Sequence, residues 1–484
     1  MANPAKPPRG TMPIAVLVAA ATVPAIALAG VWQYAEANLS PPVTTTTTTV
    51  PSQPAAELAT PLLSYRRHPT PIAESVAASQ SAILFDDRLR VLSGDVGDGG
   101  CIELVEPTST IAAVDADRPV VPASNQKLLV AAVALDALGA DYRFRTEVQS
   151  MRPVDGVIAG SVFLIGGGDP VLRTSDVPDP QRYPAFNTTQ LESLADRLAI
   201  LGVTKIEGDI VGDGSRYDDE FRVADWGETV GSFDAGPYDA LLVNDGLVSD
   251  GNYGLDPNRA AARKFFDLLV ARGITITGAA ANAARPADAD FTTLALIESH
   301  PLSDVLVEML HTSDNNTAEM LVKEIGYVVV GQGTRLAGLE VIRSTLAGWD
   351  VPLDGVELHD GSGLSRSNRV TCSAMTAIMS ATPVSGELRD LLPVAGRDGT
   401  LATQLLGTEA EGRLQAKTGT LTDVKALTGS MPSSTNVRVD FSAILNGDGV
   451  DDEAVYEPFW NRLVALIDAY PIVIEPDIER FAPR

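Results

Sequence analysis

Ser124 and Lys127 stand three residues apart in PASNQKLLVAAVALDALG (122–139), a run that is apolar on nearly every side. On a helix that spacing puts both side chains on one face. Serine is a weak nucleophile until a base takes its proton. Lysine can be that base only when neutral, and burial or a second nearby cation pushes it that way. Leu128, Val130 and Val133 could supply the burial. The chain has only seven lysines in 484 residues, so one at the mouth of an apolar helix needs a reason. A serine at a helix start is also an ordinary N-cap, and this stretch alone does not separate the two readings.

Two distant stretches add partners. LQAKTGT places Lys417 on a predicted strand, followed by Thr418, Gly419 and Thr420. Lysine on a strand is commonly a solvated edge residue, but glycine inside a strand marks close approach of a ligand or another backbone. An extended substrate could pair with this edge, and the ammonium and threonine hydroxyls would suit its carboxylate. HTSDNNTAEMLVKEIG sets Ser313, Asp314 and Asn315 just before a helix, where capping again competes. In the functional reading Ser313 relays a proton and Asn315 holds a substrate amide. SxxK occurs once and KTG once. SxN occurs at Ser313 and again at Ser434, where Ser434-Thr435-Asn436 reads as a turn.

The bulk composition narrows the rest. A net charge of -27 argues against nucleic acid, whose phosphates need clustered Lys and Arg. Two cysteines, Cys101 and Cys372, are too few for a disulfide scaffold, and no Cys or His spacing suggests a metal. The pair could form one disulfide or remain two buried thiols. Four histidines leave a Ser-His-Asp triad open, but no GxSxG elbow supports it.

The positioning elements fall into several segments. Residues 1–37 carry Lys6 and Arg9, then the apolar core Ile14 to Val31, read as a signal peptide or a membrane anchor. Residues 38–61, rich in Thr and Pro, read as an extended linker. AILFDDRLRVLSGD, CIELVEP and TIAAVDADRPVVP read as short strands of a small antiparallel sheet, followed by the helix of Lys127. From about Arg152 strands and helices alternate as a separate α/β unit. Helices dominate after Leu294, then RLQAKTGTLTDVKALTGSMPSS and VRVDFSAILNG read as a two-stranded hairpin before a closing helix. The chain therefore reads as an α/β (α+β) protein in which one domain, 62–150 plus 291–484, is interrupted by another, 151–290.

All three motifs in this order resemble the penicillin-binding D-alanyl-D-alanine carboxypeptidases of the peptidase S13 type, the class C low-molecular-mass group. PASNQK, SDNNTAE and AKTGTL match the family's boxes, and HDGSGLSR and LLPVAGRDGTL resemble two further family stretches. The resemblance covers most of the chain after the linker. It implies a transpeptidase/β-lactamase-like domain, an antiparallel sheet flanked by helices, with an inserted domain between Lys127 and Ser313. It implies that Ser124 attacks the D-Ala-D-Ala bond of a peptidoglycan stem peptide, with Lys127, Ser313 and Asn315 assisting. Lys417, Thr418, Gly419 and Thr420 would take the terminal carboxylate, without metal or organic cofactor. β-Lactams would acylate Ser124. By position, Asp213, Tyr217 and Arg366 would meet the zwitterionic end of a diaminopimelate side chain. Action on cross-links as an endopeptidase also follows from the resemblance. The protein would work outside the cytoplasm, in the cell envelope, touching the membrane only through its N-terminal segment.

Overall fold

In chain order the main elements are α1 (Pro69–Val96), β1 (Cys101–Glu106), β2 (Ser109–Val114), α2 (Gln126–Leu138), β3 (Arg145–Ser150), β4 (Val162–Ile165), α3 (Glu192–Ile200), β5 (Ile210–Asp213), α4 (Pro257–Ala271), β6 (Ala280–Asn282), β7 (Thr292–Glu298), α5 (Leu302–Thr312), α6 (Asn315–Val330), α7 (Arg335–Gly348), α8 (Cys372–Ser380), β8 (Gln415–Leu421), β9 (Val424–Pro432), β10 (Arg438–Asn446) and α9 (Glu453–Asp468). This computed structural model describes residues 69–107, 109–176, 187–227, 234–249, 252–288, 290–380 and 382–481. The expected N-terminal segment 1–37, the linker 38–61 and the expected start of the fold at 62 lie outside them. Among the described residues no helix is long and apolar enough to cross a membrane.

Two local readings are corrected. AILFDDRLRVLSGD is the second half of α1, not a strand. Its apolar side chains Phe85, Leu89, Leu92 and Val96 recur at spacings of four, three and four, and they pack on one cluster with Ile102 and Leu104 of β1. The supposed two-stranded hairpin is three strands. Leu421 pairs with Val424, so Thr422 and Asp423 form a two-residue turn, with Asp423 at φ +61°. Threonine and aspartate inside an otherwise apolar alternation hid that turn.

The five-stranded sheet has the order β8-β9-β10-β1-β2, antiparallel throughout. It brings the first strand beside the last, with Cys101 opposite Ile444. Of the two readings for the cysteines, the disulfide is the one formed: Cys101 of β1 joins Cys372 at the start of α8. One face of this sheet and α2, α5, α6, α7 and α8 share a core that buries α2 from Leu128 to Leu135. The other face packs on α1 and α9, with Phe441, Phe459 and Trp460 fully buried.

A second five-stranded sheet runs β6-β5-β4-β3-β7. β6, β5 and β4 are parallel, and β3 and β7 are antiparallel neighbours. It has its own apolar cluster, including Val148, Leu164, Ile210 and Phe265. β3 and β7 lie just outside the expected 151–290 boundaries yet belong to this sheet. A further cluster joins Tyr217, Trp226 and Tyr238 to Met320 of α6 and to Leu364. Residues between 217 and 226 and between 235 and 242 thus pack against the elements that carry the motifs.

Candidate active site

Ser124 lies in a 3-10 turn, Ala123–Asn125, that runs directly into α2. Neither helix start has a side-chain cap, so Ser124 is not capping. Its hydroxyl accepts a hydrogen bond from Lys127 Nζ at 3.1 Å. Ala123 holds φ +47°, a left-handed conformation uncommon for a residue with a β-carbon. Such strain persists where the surroundings over-determine it, commonly at functional sites. Two glycines permit those surroundings. A Cβ on Gly363, whose φ is +86°, would stand 1.9 Å from the Ala123 carbonyl oxygen. One on Gly419 would stand 2.8 Å from the Pro122 carbonyl oxygen. The glycine of KTG therefore admits another backbone, that of the Ser124 turn.

Lys127 is fully buried and donates to three oxygens: Ser124 Oγ, Asn315 Oδ1 at 2.7 Å and the Ser362 carbonyl at 2.7 Å. Burial lowers its pKa to about 8, against the opposing pull of Asp360, Asp314 and Glu319. The lowering comes from desolvation. Two of the three oxygens, the Asn315 amide oxygen and the Ser362 carbonyl, can only accept. A neutral amine has two N–H groups and one lone pair. With both N–H groups held on acceptors, the lone pair faces Ser124 Oγ, the one neighbour of the three with a proton to give.

Ser313 ends α5 in a left-handed conformation, φ +65°, and its hydroxyl accepts from Lys417 Nζ at 3.0 Å. The capping role in SDN belongs to Asp314, whose carboxylate accepts from Thr317 N at 2.7 Å. Asn315 opens α6, and its Nδ2 donates to the Asp234 carbonyl at 2.6 Å. Lys417 is no solvated edge lysine. It is fully buried, also donates to its neighbour's carbonyl at Thr418, and its pKa is pushed well down by burial and then by the charge of Lys127. Alternation along β8 places Thr418 and Thr420 on the face opposite Lys417. Thr418 Oγ1 donates to Thr400 Oγ1 at 2.8 Å, and Thr420 Oγ1 accepts from Lys425 Nζ at 3.1 Å. Ser124, Lys127, Ser313, Asn315 and Lys417 are thus drawn together from three stretches.

The outlying residues are placed differently. Arg366 is exposed and donates to the Thr422 carbonyl, at the turn that ends β8. Asp213 is buried at the end of β5, and its carboxylate accepts from Ser215 N at 2.9 Å and Arg285 N at 2.7 Å. Tyr217 is buried, and its hydroxyl donates to Glu324 Oε2 at 2.9 Å. The second SxN is a turn: Ser434 Oγ donates to the Asp468 carbonyl, and Asn436 has φ +64°.

Sequence reasoning missed the loop that supports the base. Asp360 accepts from Gly363 N, Ser365 N, Asn368 Nδ2 and Trp226 Nε1. Glu319 accepts from Gly361 N and Ser362 N. Asn125 donates to Thr428 Oγ1 at 2.8 Å, fixing the Ser124 turn to β9. HDGSGLSR pointed to the loop, but nothing in its letters showed that its carbonyl holds a lysine.

The profile of the D-Ala-D-Ala carboxypeptidase 3 (S13) family matches residues 86–252 and 254–466. A D-alanyl-D-alanine carboxypeptidase of Actinomadura is 31% identical over 418 residues, spanning 69% of this chain and 74% of the relative. A carboxypeptidase of Mycobacterium tuberculosis is 28% identical over 400 residues, spanning 78% and 81%. The crystal structure of penicillin binding protein 4 from Haemophilus influenzae superposes with a TM-score of 0.68 at 22% identity, over 79% of this chain and 99% of that one. A predatory peptidoglycan endopeptidase of Bdellovibrio bacteriovorus superposes with a TM-score of 0.52 at 19% identity, over 78% and 94%. At those identities the two structures speak for the fold.

Proposed function

The chain belongs to the D-Ala-D-Ala carboxypeptidase 3 (S13) family, and from that premise we propose how its own residues perform the hydrolysis. It is a D-alanyl-D-alanine carboxypeptidase of the penicillin-binding kind, acting on peptidoglycan in the cell envelope. Ser124 Oγ attacks the carbonyl carbon of the terminal D-Ala-D-Ala bond as Lys127 takes its proton. The observation that carries this reading is the set of contacts around Lys127, which leaves its lone pair facing Ser124. The oxyanion forms beside the N–H groups of Ser124 and Thr420, each worth about 3–4 kcal/mol in such sites. Lys417 binds the substrate's terminal carboxylate beside Gly419, and Thr418 and Thr420, whose side chains leave from the opposite face, are assigned to the same carboxylate around the open edge of β8. The carboxylate supplies the anion that Lys417 lacks in the free protein, so substrate binding favours its charged form.

Ser313, already bonded to Lys417, passes a proton to the leaving D-alanine nitrogen as the C–N bond breaks. Asn315 orients the acyl peptide. Water then hydrolyses the ester of Ser124, its proton returning through Lys127. A β-lactam presents the same amide and carboxylate and acylates Ser124. Applied to a cross-link, this chemistry is DD-endopeptidase action. Arg366 at the strand edge is assigned to the substrate's distal carboxylate. Asp213 must exchange its backbone bonds to meet an ammonium, and Tyr217 packs behind it. Residues 151–290 are assigned to an inserted domain, and the N-terminal segment 1–37 to the membrane contact.

The test is a pair of incubations of the parent and Ser124→Ala, with a fluorescent penicillin and with a diacylated Lys-D-Ala-D-Ala peptide. The parent is expected to hold the label and release D-alanine, and the variant to do neither. A labelled Ser124→Ala protein sinks the assignment of the nucleophile.

A further inference from the structure

Glu319 is a fully buried acid that the reaction as written does not use. It lies four residues after Asn315 on α6, so both project from one helix face. Its Oε1 accepts two backbone N–H groups, Gly361 at 2.9 Å and Ser362 at 2.7 Å. Its Oε2 is buried without a hydrogen-bond partner. An unmatched buried carboxyl oxygen is a standing cost to the fold. Lys127, Asp360, Tyr238 and Arg335 are the titratable groups that interact with it electrostatically.

Ser362 offers a carbonyl as well as an N–H, on the two peptide units either side of its Cα: Glu319 holds the N–H of the first, and Asp360 holds the Gly363 N–H of the second. That carbonyl is the acceptor which, together with Asn315 Oδ1, uses up the N–H groups of a neutral Lys127. Without it one N–H is free to swing, and the lone pair is no longer confined to the direction of Ser124. Asp360 anchors the far side of the loop, at Gly363 and Ser365. On its near side Glu319 accepts the Gly361 and Ser362 N–H groups, and Gln126 Nε2 donates to the Asp360 carbonyl at 3.2 Å just before them.

We propose that Glu319 is a positioning residue for the general base: by gripping the Gly361–Ser362 backbone it fixes the Ser362 carbonyl on Lys127 and so aims the amine at Ser124. One face of α6 then sets two of the base's three hydrogen bonds, Asn315 directly and Glu319 through the loop. The inference rests on the assignment of Ser124 and Lys127 above.

The test measures the acylation rate constant with a fluorescent penicillin across pH, with melting temperature alongside. The proteins are the parent, Ser124→Ala, Glu319→Ala, Glu319→Gln, Glu319→Asp and Lys323→Met. Lys323, one turn further along the same face, donates to the Asp218 and Glu220 carbonyls and serves as the purely structural comparator. Glu319→Ala is expected to lower the high-pH plateau about 100-fold, the order of a general-base contribution, and to move the midpoint to lower pH. Glu319→Gln retains an oxygen that accepts both N–H groups and is expected within about fivefold of the parent. Lys323→Met is expected to melt earlier with an unchanged pH profile. If Glu319→Ala does not fold, Glu319→Asp, whose carboxylate is drawn back from the loop, is expected to be folded and slow. A folded Ala or Asp variant with the parental rate and profile overturns the proposal. So does a Gln variant as slow as the Ala variant. An unlabelled parent, or a labelled Ser124→Ala, refutes the underlying assignment instead.

Discussion

Two lysines are buried equally deeply at the site, and their surroundings differ in sign. Around Lys127 stand Asp360, Asp314 and Glu319, which partly restore the proton that burial removes and leave a pKa of about 8. Around Lys417 no carboxylate among the described residues offsets burial, and the charge of Lys127 pushes it further down. In the proposed mechanism Lys127 is a base held within reach of neutral pH, and Lys417 a receptor completed by a substrate anion. The difference lies in neighbours, since both side chains are the same and both are shut away from water.

The largest effect expected is on the base. Lys127→Met and Lys127→Arg should both slow acylation by about 100- to 10,000-fold, the arginine because its guanidinium does not lose its proton. An active Lys127→Arg enzyme would collapse the contrast. Lys417→Met should cost about 10- to 100-fold in kcat/KM on a peptide with a free terminal carboxylate, the scale of a lost charged hydrogen bond. On the same peptide with a terminal amide the loss should largely vanish, so the measured quantity is the ratio of the two substrates.

The acylation rate should rise with pH through about 8, because the neutral amine of Lys127 is the reactive form. A profile flat from pH 6 to 9 would argue against a lysine base. The smallest effect is on stability. A lysine whose pKa is lower folded than unfolded disfavours the folded state while it is charged. The unfolded chain then binds more protons, and stability climbs as pH rises towards the usual lysine range. Lys417→Met should remove that penalty and raise the melting temperature at pH 7 by roughly 2 °C, flattening its rise with pH. Lys127→Met should give no such gain, because it strands the carboxylates that had a cation beside them.

The residues assigned to the reaction were legible as letters, and those proposed to aim them were not. SxxK, SDN and KTG named Ser124, Lys127, Ser313, Asn315 and Lys417, and the structure brings those together. Glu319 reads in sequence as one more glutamate on a helix, and only burial beside a loop backbone gives it a part. The role of Ser362 is carried by a carbonyl, which every residue has. α1 was read as a strand because its polar residues interrupt the apolar ones at short range, while the helical spacing from Phe85 to Val96 appears only over three turns. Asp213 and Tyr217 followed from position in the chain, but where their polar atoms point depends on contacts far away in sequence.

Strand β1 lies between β2 and β10, so the second strand pair of the central sheet joins Cys101–Glu106 to Arg438–Asn446. During synthesis β1 emerges long before its partner exists. Until the segment from Arg438 onward appears it presents an open edge, and contacts this remote in sequence close slowly. The nucleophile's turn is braced by β9, whose own neighbour in the sheet is that same late strand. A chain cut short between Leu421 and Arg438 would carry all three motifs but lack the strand that the sheet needs beside β1 and β9. Activity should therefore wait on β10, and its appearance would report that this strand has taken its place in the sheet.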